Sequence, residues 1–340
     1  MRAWELVEGN AIDAIAIKQR PAPRAGAGTV VIDVKACSLN FRDTLLVRGG
    51  TANDPRPRAI GVVPLSDGAG VVAAVGEGVT DLQPGDRVAG AFMPTWLDGP
   101  LTPEKQAAAL GGSVDGMLAE QVVLPATGVV RIPAHLSFAE AATLPCAGVT
   151  AWYAQFVGGA VKPGDCVLLL GTGGVSIFAL QFAKMAGARV IITSSDDAKL
   201  ERARALGADH TINYRTTPEW QDAVLDLTGG IGADHAVEVG GPGTLSRTLQ
   251  AVRYGGSIAL MGVLTGVADN VATGLILQKN IRIQGTYVGS VAMFNAMNRA
   301  IVQTAMRPVV DRVFPFEQAV EALRHMLTGR HFGKIVVAVA

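Results

Sequence analysis

Apolar and polar residues alternate through the first third of the chain. In residues 29–36 (TVVIDVKA), Val30, Ile32, Val34 and Ala36 fall on one side and Asp33 and Lys35 on the other, as a half-buried strand requires. Residues 68–76 (GAGVVAAVG) and 116–124 (GMLAEQVVL) repeat the pattern, with Pro84-Gly85-Asp86 as a turn. The chain up to about Arg131 is thus predicted to be mostly β. After Pro133 the texture changes. Ser137 with Glu140 three residues on is a capping box that opens a helix. Apolar runs then alternate with helical stretches: 166–170 and 174–186, 189–193 and 197–206, 233–239 and 243–252, then 257–260. Strands of this kind, separated by helices, predict a parallel sheet covered on both faces. A helix over 292–306, another over 316–327 and a strand over 334–338 end the pattern and are expected to return to the first region.

Composition narrows the picture. With 340 residues there is material for two domains, and 49% hydrophobic against 17% charged residues excludes disorder as the main state. Lys plus Arg balance Asp plus Glu at 29 each, without a basic cluster, which argues against a nucleic-acid partner. Cys37, Cys146 and Cys166 are too few and too irregularly spaced for a disulfide framework or a C-x-x-C metal cluster, so a reducing compartment is expected. The first residues carry Arg2, Glu5 and Glu8, unlike a signal peptide, and the expectation is cytoplasmic. Residues 167–183 are uncharged but short, broken by Gly171, Gly173 and Gly174, and followed by Lys184; no membrane association is expected.

The chemistry begins at residues 167–175 (VLLLGTGGV), a strand that enters a glycine turn and then an apolar helix. Gly171, Thr172, Gly173, Gly174 and Val175 would let a pyrophosphate approach the backbone, where free N–H groups and the positive end of the helix dipole stabilise it. The fingerprint G-x-G-x-x-G is imperfect, since Ser176 stands at its third glycine. Alone it fits an ordinary turn as well; in a series of strand–helix units it points to a dinucleotide. Where an NAD site carries an acidic residue at the end of the second strand, this chain has Thr193-Ser194-Ser195, followed by Asp196, Asp197 and Lys199, the two carboxylates weighing toward NAD. Serine hydroxyls and an ammonium suit a 2′-phosphate, and Tyr214 could close the pocket, so NADP(H) is favoured over NAD(H). The alternative is that Ser194 and Ser195 cap the next helix and Lys199 is a solvated charge.

Several strings together resemble the medium-chain dehydrogenase/reductase superfamily, in particular its zinc-independent quinone reductase and enoyl reductase branch. They are ACSLNFRD (36–43), GAGVV (68–72), PGDRV (84–88), AGVTAW (147–152), the glycine turn, KLERARALGAD (199–209) and FGKI (332–335). The resemblance implies an α/β protein: a GroES-like, mostly β catalytic domain from residues 1–130 and 290–340, a Rossmann-type doubly wound parallel sheet over 131–289, and a cleft where nicotinamide meets substrate. It implies catalytic roles for Asn40, Asp43 and Thr150, and nicotinamide-lining roles for Gly262, Val263, Val288 and Gly289. Zinc-dependent relatives carry Cys where Asn40 stands and Gly-His-Glu where this chain has Leu65-Ser66-Asp67, and their four-cysteine lobe has no counterpart in 92–116. A metal-free enzyme is expected, with the five histidines at surface or capping positions.

Without a Lewis acid, acceptors that delocalise arriving charge suit the site better than simple alcohols. The expected reaction is hydride transfer from NADPH to a quinone or an α,β-unsaturated carbonyl. Other readings stay open: Asn40 and Asp43 as helix caps, Thr150 bonding its own backbone, and Trp96 as pocket lining or as packing. The tyrosine that several similar quinone reductases carry two residues beyond the aspartate is absent, which leaves the proton donor unassigned. Alternative functions are an acyl-thioester enoyl reductase, with Arg48, Arg56 and Arg58 meeting a carrier phosphate, a zinc-type alcohol dehydrogenase, and a crystallin-like NADPH-binding protein. Relatives commonly pair edge strands as homodimers, here through residues 281–284.

Overall fold

Thr29–Ser38 is the central strand of the first unit, buried along most of its length. On one edge it pairs antiparallel with Asp67–Val75; on the other, Gln121–Pro125 covers its first half and Lys334–Ala338 its second. The computed structural model describes residues 1–339 apart from 10, 52–53, 56–58, 113 and 269. Among the described residues the main sheet of this unit has seven strands, extended by Val310–Pro315 on one side and by Arg87–Gly90 and Val129–Arg131 on the other. A hairpin of Arg2–Leu6 and Ile15–Gln19 adds Trp4 and Leu6 to a core with Ile32, Leu39, Val72, Met117 and Ile335. Strands approach closely where no side chain intervenes: a Cβ on Gly70 would stand 2.0 Å from the Asp33 carbonyl oxygen.

The chain divides into two units, residues 1–149 with 289–340, and residues 150–288. Residues 131–149, assigned by the sequence reading to the second domain, cluster with the first unit, because the Phe138–Ala141 helix packs on Thr29–Ser38 and Asp67–Val75. Its capping box forms as expected, with the Glu140 carboxylate accepting from the Ser137 backbone N–H at 2.7 Å. The strand expected over 116–124 is Gln121–Pro125 only. Residues 116–118 instead bond to the backbone of residues 63–65, and Gly116 lies so close that a Cβ would stand 2.1 Å from the Leu65 oxygen. The helix expected from Phe316 starts as a 3-10 turn, Phe316–Gln318, and is α-helical over Ala319–Leu327.

The second unit holds six parallel strands in the spatial order His210–Asn213, Arg189–Ser194, Cys166–Leu169, Ala233–Glu238, Val252–Leu260, Arg282–Gly285. Numbered along the chain this is 3-2-1-4-5-6, the order of a Rossmann fold, whose direction of winding reverses between Cys166–Leu169 and Ala233–Glu238. Cys166, Val167, Leu168 and Leu169 are all buried, which explains the unbroken apolar run. Among the described residues no helix is long and apolar enough to cross a membrane.

Candidate functional site

In the second unit, the strand Cys166–Leu169 delivers the glycine turn to the winding reversal, where ligands of such sheets bind beyond the strand ends. Gly171 adopts φ 71°, the left-handed region that favours glycine. The helix Gly174–Met185 starts at Gly173 with no side chain capping its first N–H groups. A Cβ on Gly171 or Gly173 would meet nothing within 4 Å. Open space over uncapped helix N–H groups fits a dinucleotide pyrophosphate. Ser176, at the place of the missing third glycine, is buried and donates to the Leu170 carbonyl at 2.6 Å, so its hydroxyl holds the turn together.

Around that turn the Thr193 hydroxyl accepts from the Gly171 N–H at 3.3 Å, and the Thr172 and Ser194 hydroxyls are 3.4 Å apart. The helix Asp197–Ala205 is capped by Asp196, which accepts from the Lys199 N–H at 3.2 Å. Capping by Ser194 and Ser195, the alternative reading, is thereby corrected: Ser194 ends its strand with its hydroxyl toward Thr172. Tyr214 is partly exposed and its N–H bonds to the Ser194 carbonyl at 3.0 Å. Val175 is the second residue of the helix Gly174–Met185.

A further element was not visible in the sequence. Buried Glu238 ends its strand and accepts from the N–H groups of Gly240 and Gly241 and the hydroxyl of Thr244, at 2.8, 3.0 and 2.6 Å, and from the Thr248 hydroxyl. Its backbone oxygen receives the Gly262 N–H at 3.1 Å, and a Cβ on Gly262 would fall 1.7 Å from the Val239 oxygen. Gly262 is thus held by the Glu238 backbone, while the Glu238 carboxylate holds the neighbouring turn at Gly240 and Gly241. Val288 takes φ 59°, a conformation costing a non-glycine residue ~1 kcal/mol or more. Thr150 is buried in the helix Val149–Trp152. Gly289 joins the first unit, where a Cβ would crowd Val149 at 2.6 Å.

The first unit holds a separate polar centre, assembled by strand register. Ser38 pairs with Val336 on one side and Asp67 on the other, so continuing both ladders sets Lys334 and Asp67 around Asn40. Lys334 Nζ donates to Asn40 Oδ1 and to the Leu39 carbonyl, each at 2.6 Å, and lies 3.9 Å from Asp67 Oδ2. Asp67 accepts from the Ser66 hydroxyl at 2.7 Å, the Cys146 N–H at 3.2 Å and the Ser38 hydroxyl at 3.5 Å. Burial raises the Asp67 carboxyl above its ordinary range, opposed by Lys334 and by hydrogen bonds from Asn40, Ser66 and the Cys146 N–H. Asn40 is the N-cap of the helix Phe41–Arg48 and Asp43, three residues on, accepts from the Asn40 N–H at 2.7 Å; burial pushes the Asp43 carboxyl up to about 6. Asn40 directs its amide to Lys334 and to Ser66 rather than acting as a simple side-chain cap.

The donors around Asn40 are an amide, hydroxyls, an already ion-paired carboxylate and the thiol of Cys146, which burial and Asp67 push well above its ordinary range. Among the described residues no group of three His, Cys, Asp or Glu could hold a metal ion. Trp96 is buried packing, its indole N–H donating to the Gly99 carbonyl at 2.8 Å. His235 departs from the surface position expected of it: it is 2% exposed inside the parallel sheet, 2.8 Å from the Ser257 hydroxyl. Arg48 bonds the Thr44 carbonyl at 3.1 Å, and Arg56 and Arg58 lie outside the described residues.

Comparison with known proteins agrees with this layout. The profile described as alcohol dehydrogenase GroES-like domain matches residues 26–134, and that described as zinc-binding dehydrogenase matches residues 174–303. A zinc-type alcohol dehydrogenase-like protein of Schizosaccharomyces pombe is 46% identical over 318 residues, 92% of this chain and 91% of its own. The crystal structure of an NAD-dependent alcohol dehydrogenase is similar at TM-score 0.90 and 34% identity, covering 100% of both chains. The quinone oxidoreductase of Pseudomonas syringae pv. tomato DC3000 follows at TM-score 0.82 and 27% identity, covering 99% of each.

Proposed function

From the premise that the chain belongs to the medium-chain dehydrogenase/reductase family and is an NAD(P)H-dependent oxidoreductase, we propose that it reduces quinones or α,β-unsaturated carbonyls with NADPH and without zinc. One observation carries the reading: buried Asp67 faces the Lys334 ammonium, not a set of metal-binding side chains. Zinc requires three or four thiolate, imidazole or carboxylate ligands, and an amide, hydroxyls and a protonated thiol do not supply them. The residues at this centre therefore do not fit the metal that the zinc-binding profile implies.

The second unit supplies the coenzyme's seat. Gly171, Thr172, Gly173, Gly174 and Val175 would hold the pyrophosphate on backbone N–H groups, with no side chain in the way. Ser194, Ser195, Lys199 and Tyr214 surround the adenosine end in this reading. The carboxylates that follow these serines are engaged, Asp196 in capping and Asp197 with the Asn213 amide, which supports NADP(H) over NAD(H). When bound, the reduced nicotinamide supplies a hydride to an electron-poor carbon. In this reading Gly262, Val263, Val288 and Gly289 would line its ring and Thr150 would orient it, as the family resemblance implies. Asn40 then stabilises the oxygen on which charge collects, with Asp43 fixing its backbone, and the proton comes from water. An enolate or phenolate spreads that charge, so hydrogen bonds suffice where an alkoxide would require a Lewis acid.

The test compares NADPH oxidation with 1,2-naphthoquinone, a simple enone, a crotonyl thioester and a primary alcohol with NADP, using chelator-treated protein. Turnover of quinone or enone with substoichiometric zinc is expected. Activity confined to the alcohol and lost to chelator would overturn the reading, as would tighter binding of NADH than of NADPH. The proposal includes a homodimer: Arg282–Gly285 is the edge of its sheet, with Arg282, Gln284 and Gly285 exposed, and pairing with a second copy would cover that edge. Sedimentation at twice the chain mass is the expected result.

A further inference from the structure

Four side chains at the Asn40 centre have hydrogen-bonding roles that their neighbours dictate. An ammonium can only donate, and an ionised carboxylate can only accept. Between Lys334 and Asp67 run Asn40 and Ser66: Nζ of Lys334 donates to Asn40 Oδ1 at 2.6 Å, Nδ2 of Asn40 to Ser66 Oγ at 3.3 Å, and Ser66 Oγ to Asp67 Oδ1 at 2.7 Å. The 3.9 Å approach of Lys334 to Asp67 closes the ring. Turning the Asn40 amide over would set its NH₂ against the ammonium and leave Ser66 forced to choose between the amide oxygen and Asp67. Only one orientation satisfies all four groups, and with Lys334 at 3% and Ser66 and Asp67 at 0% exposure, water cannot compensate for another.

Resting on the function proposed above, we propose that Lys334 is a positioning residue: the internal cation that locks the Asn40 amide with its oxygen inward, so that the side of the amide turned away from the lysine carries N–H and not a lone pair. A fixed donor favours an oxygen gaining negative charge, as in a carbonyl undergoing reduction. It supplies no base to take the proton of an alcohol hydroxyl. The substrate class therefore narrows to acceptors that present a carbonyl oxygen, and the lysine does this without touching substrate.

The experiment uses the full chain in three forms: Lys334→Met, the double variant Lys334→Met/Asp67→Asn, and Asn40→Asp. The single Lys334→Met variant is expected to lose thermal stability through the charge left on Asp67. The double variant, with no buried charge left unpaired, is expected to recover its melting temperature. Its kcat for the enone should stay at least about 10-fold below wild type while the Kd for NADPH is unchanged, because the amide is free to turn. Wild-type kcat in a folded double variant would overturn the proposal and leave Lys334 as charge compensation only. Asn40→Asp keeps a partner for Lys334 but removes the donor; about a 100-fold loss of kcat is expected, and an undiminished kcat overturns the proposal independently. Selective ¹⁵N labelling of asparagine reads the lock without turnover. The Asn40 side-chain NH₂ should exchange with solvent more slowly in wild type than in the double variant, and equal rates would dismiss the lock even if the reaction is as proposed. Absence of turnover with slow exchange would instead remove the proposed reaction and keep the lock.

Discussion

Asn40, Ser66, Asp67 and Lys334 in the first unit meet side chain to side chain in a sealed ring, whereas the turn at Gly171–Gly174 in the second unit offers uncapped backbone N–H groups beneath open space. The contrast separates two ways of making a polar site. A ring of side chains is part of the core, and its members stabilise the fold as well as shaping the chemistry. A glycine turn is nearly independent of the core, so that its shape serves the ligand at little structural cost. Substitutions should therefore separate stability from binding in opposite directions in the two units.

The largest effect expected is on the fold of the first unit. Lys334→Met should cost ~3–5 kcal/mol of unfolding free energy in denaturant melts, since Asp67 loses its cation inside the core. If it costs less than ~1 kcal/mol, the ring is not the stabilising element described here. The second effect is a pH dependence of the second unit. Burial, aided by Arg282, lowers His235 from an ordinary 6.5 to about 4. Between those values the unfolded chain binds a proton that the folded chain refuses. Stability is complete above the ordinary value and falls on acidification toward the lower one, by on the order of 3 kcal/mol. His235→Gln should flatten that part of a stability profile. Asp43 runs the other way: its folded value of about 6 lies above the ordinary 3.8, so its contribution is present in acid and lost as pH rises through that interval. An Asp43→Asn profile should therefore differ from wild type with the opposite slope.

The glycine turn gives the third prediction. Gly173→Val should leave the melting temperature nearly unchanged, since a Cβ there meets nothing within 4 Å, yet weaken NADPH binding about 100-fold, or ~2.7 kcal/mol, in a fluorescence titration. An unchanged Kd would mean that the phosphate does not sit over this residue. The smallest effect expected is on coenzyme choice. Ser195→Asp places a carboxylate near the end of the Arg189–Ser194 strand and should shift the ratio of kcat/KM for NADPH over NADH by about 10-fold toward NADH.

The same contrast explains how far the chain could be read without its fold. The turn was legible because its determinants are local: a buried strand, glycines three residues apart and an apolar helix lie within twenty residues, and the structure places them together. The alternation over 29–36 and the capping box at Ser137 were legible for the same reason. The ring was not. Lys334 reaches Asn40 across 294 residues of sequence, and only the pairing of three neighbouring strands brings them together. A faint signal existed in KIVVA, a lysine opening an otherwise apolar strand, where a buried charge demands a partner. Glu238 went unread because it is satisfied by glycine N–H groups and threonine hydroxyls rather than by a cation. The apolar alternation over 116–120 does not make a strand, because residues 116–118 bond to the backbone of residues 63–65 and residues 118–120 pair with the backbone of residues 2–4 only as an isolated bridge at Ala119.

The second unit is one unbroken segment, whereas the first draws its last two strands from the far end of the chain. During synthesis the nucleotide-binding segment has all its own contacts as soon as residue 288 is free of the ribosome. Asp67 by then has been waiting for its counter-ion through more than two hundred residues of translation. The first unit can close its core only after Lys334 has been translated, so a chain cut between residues 288 and 334 would hold the second unit complete and leave the carboxylate of the first without its cation.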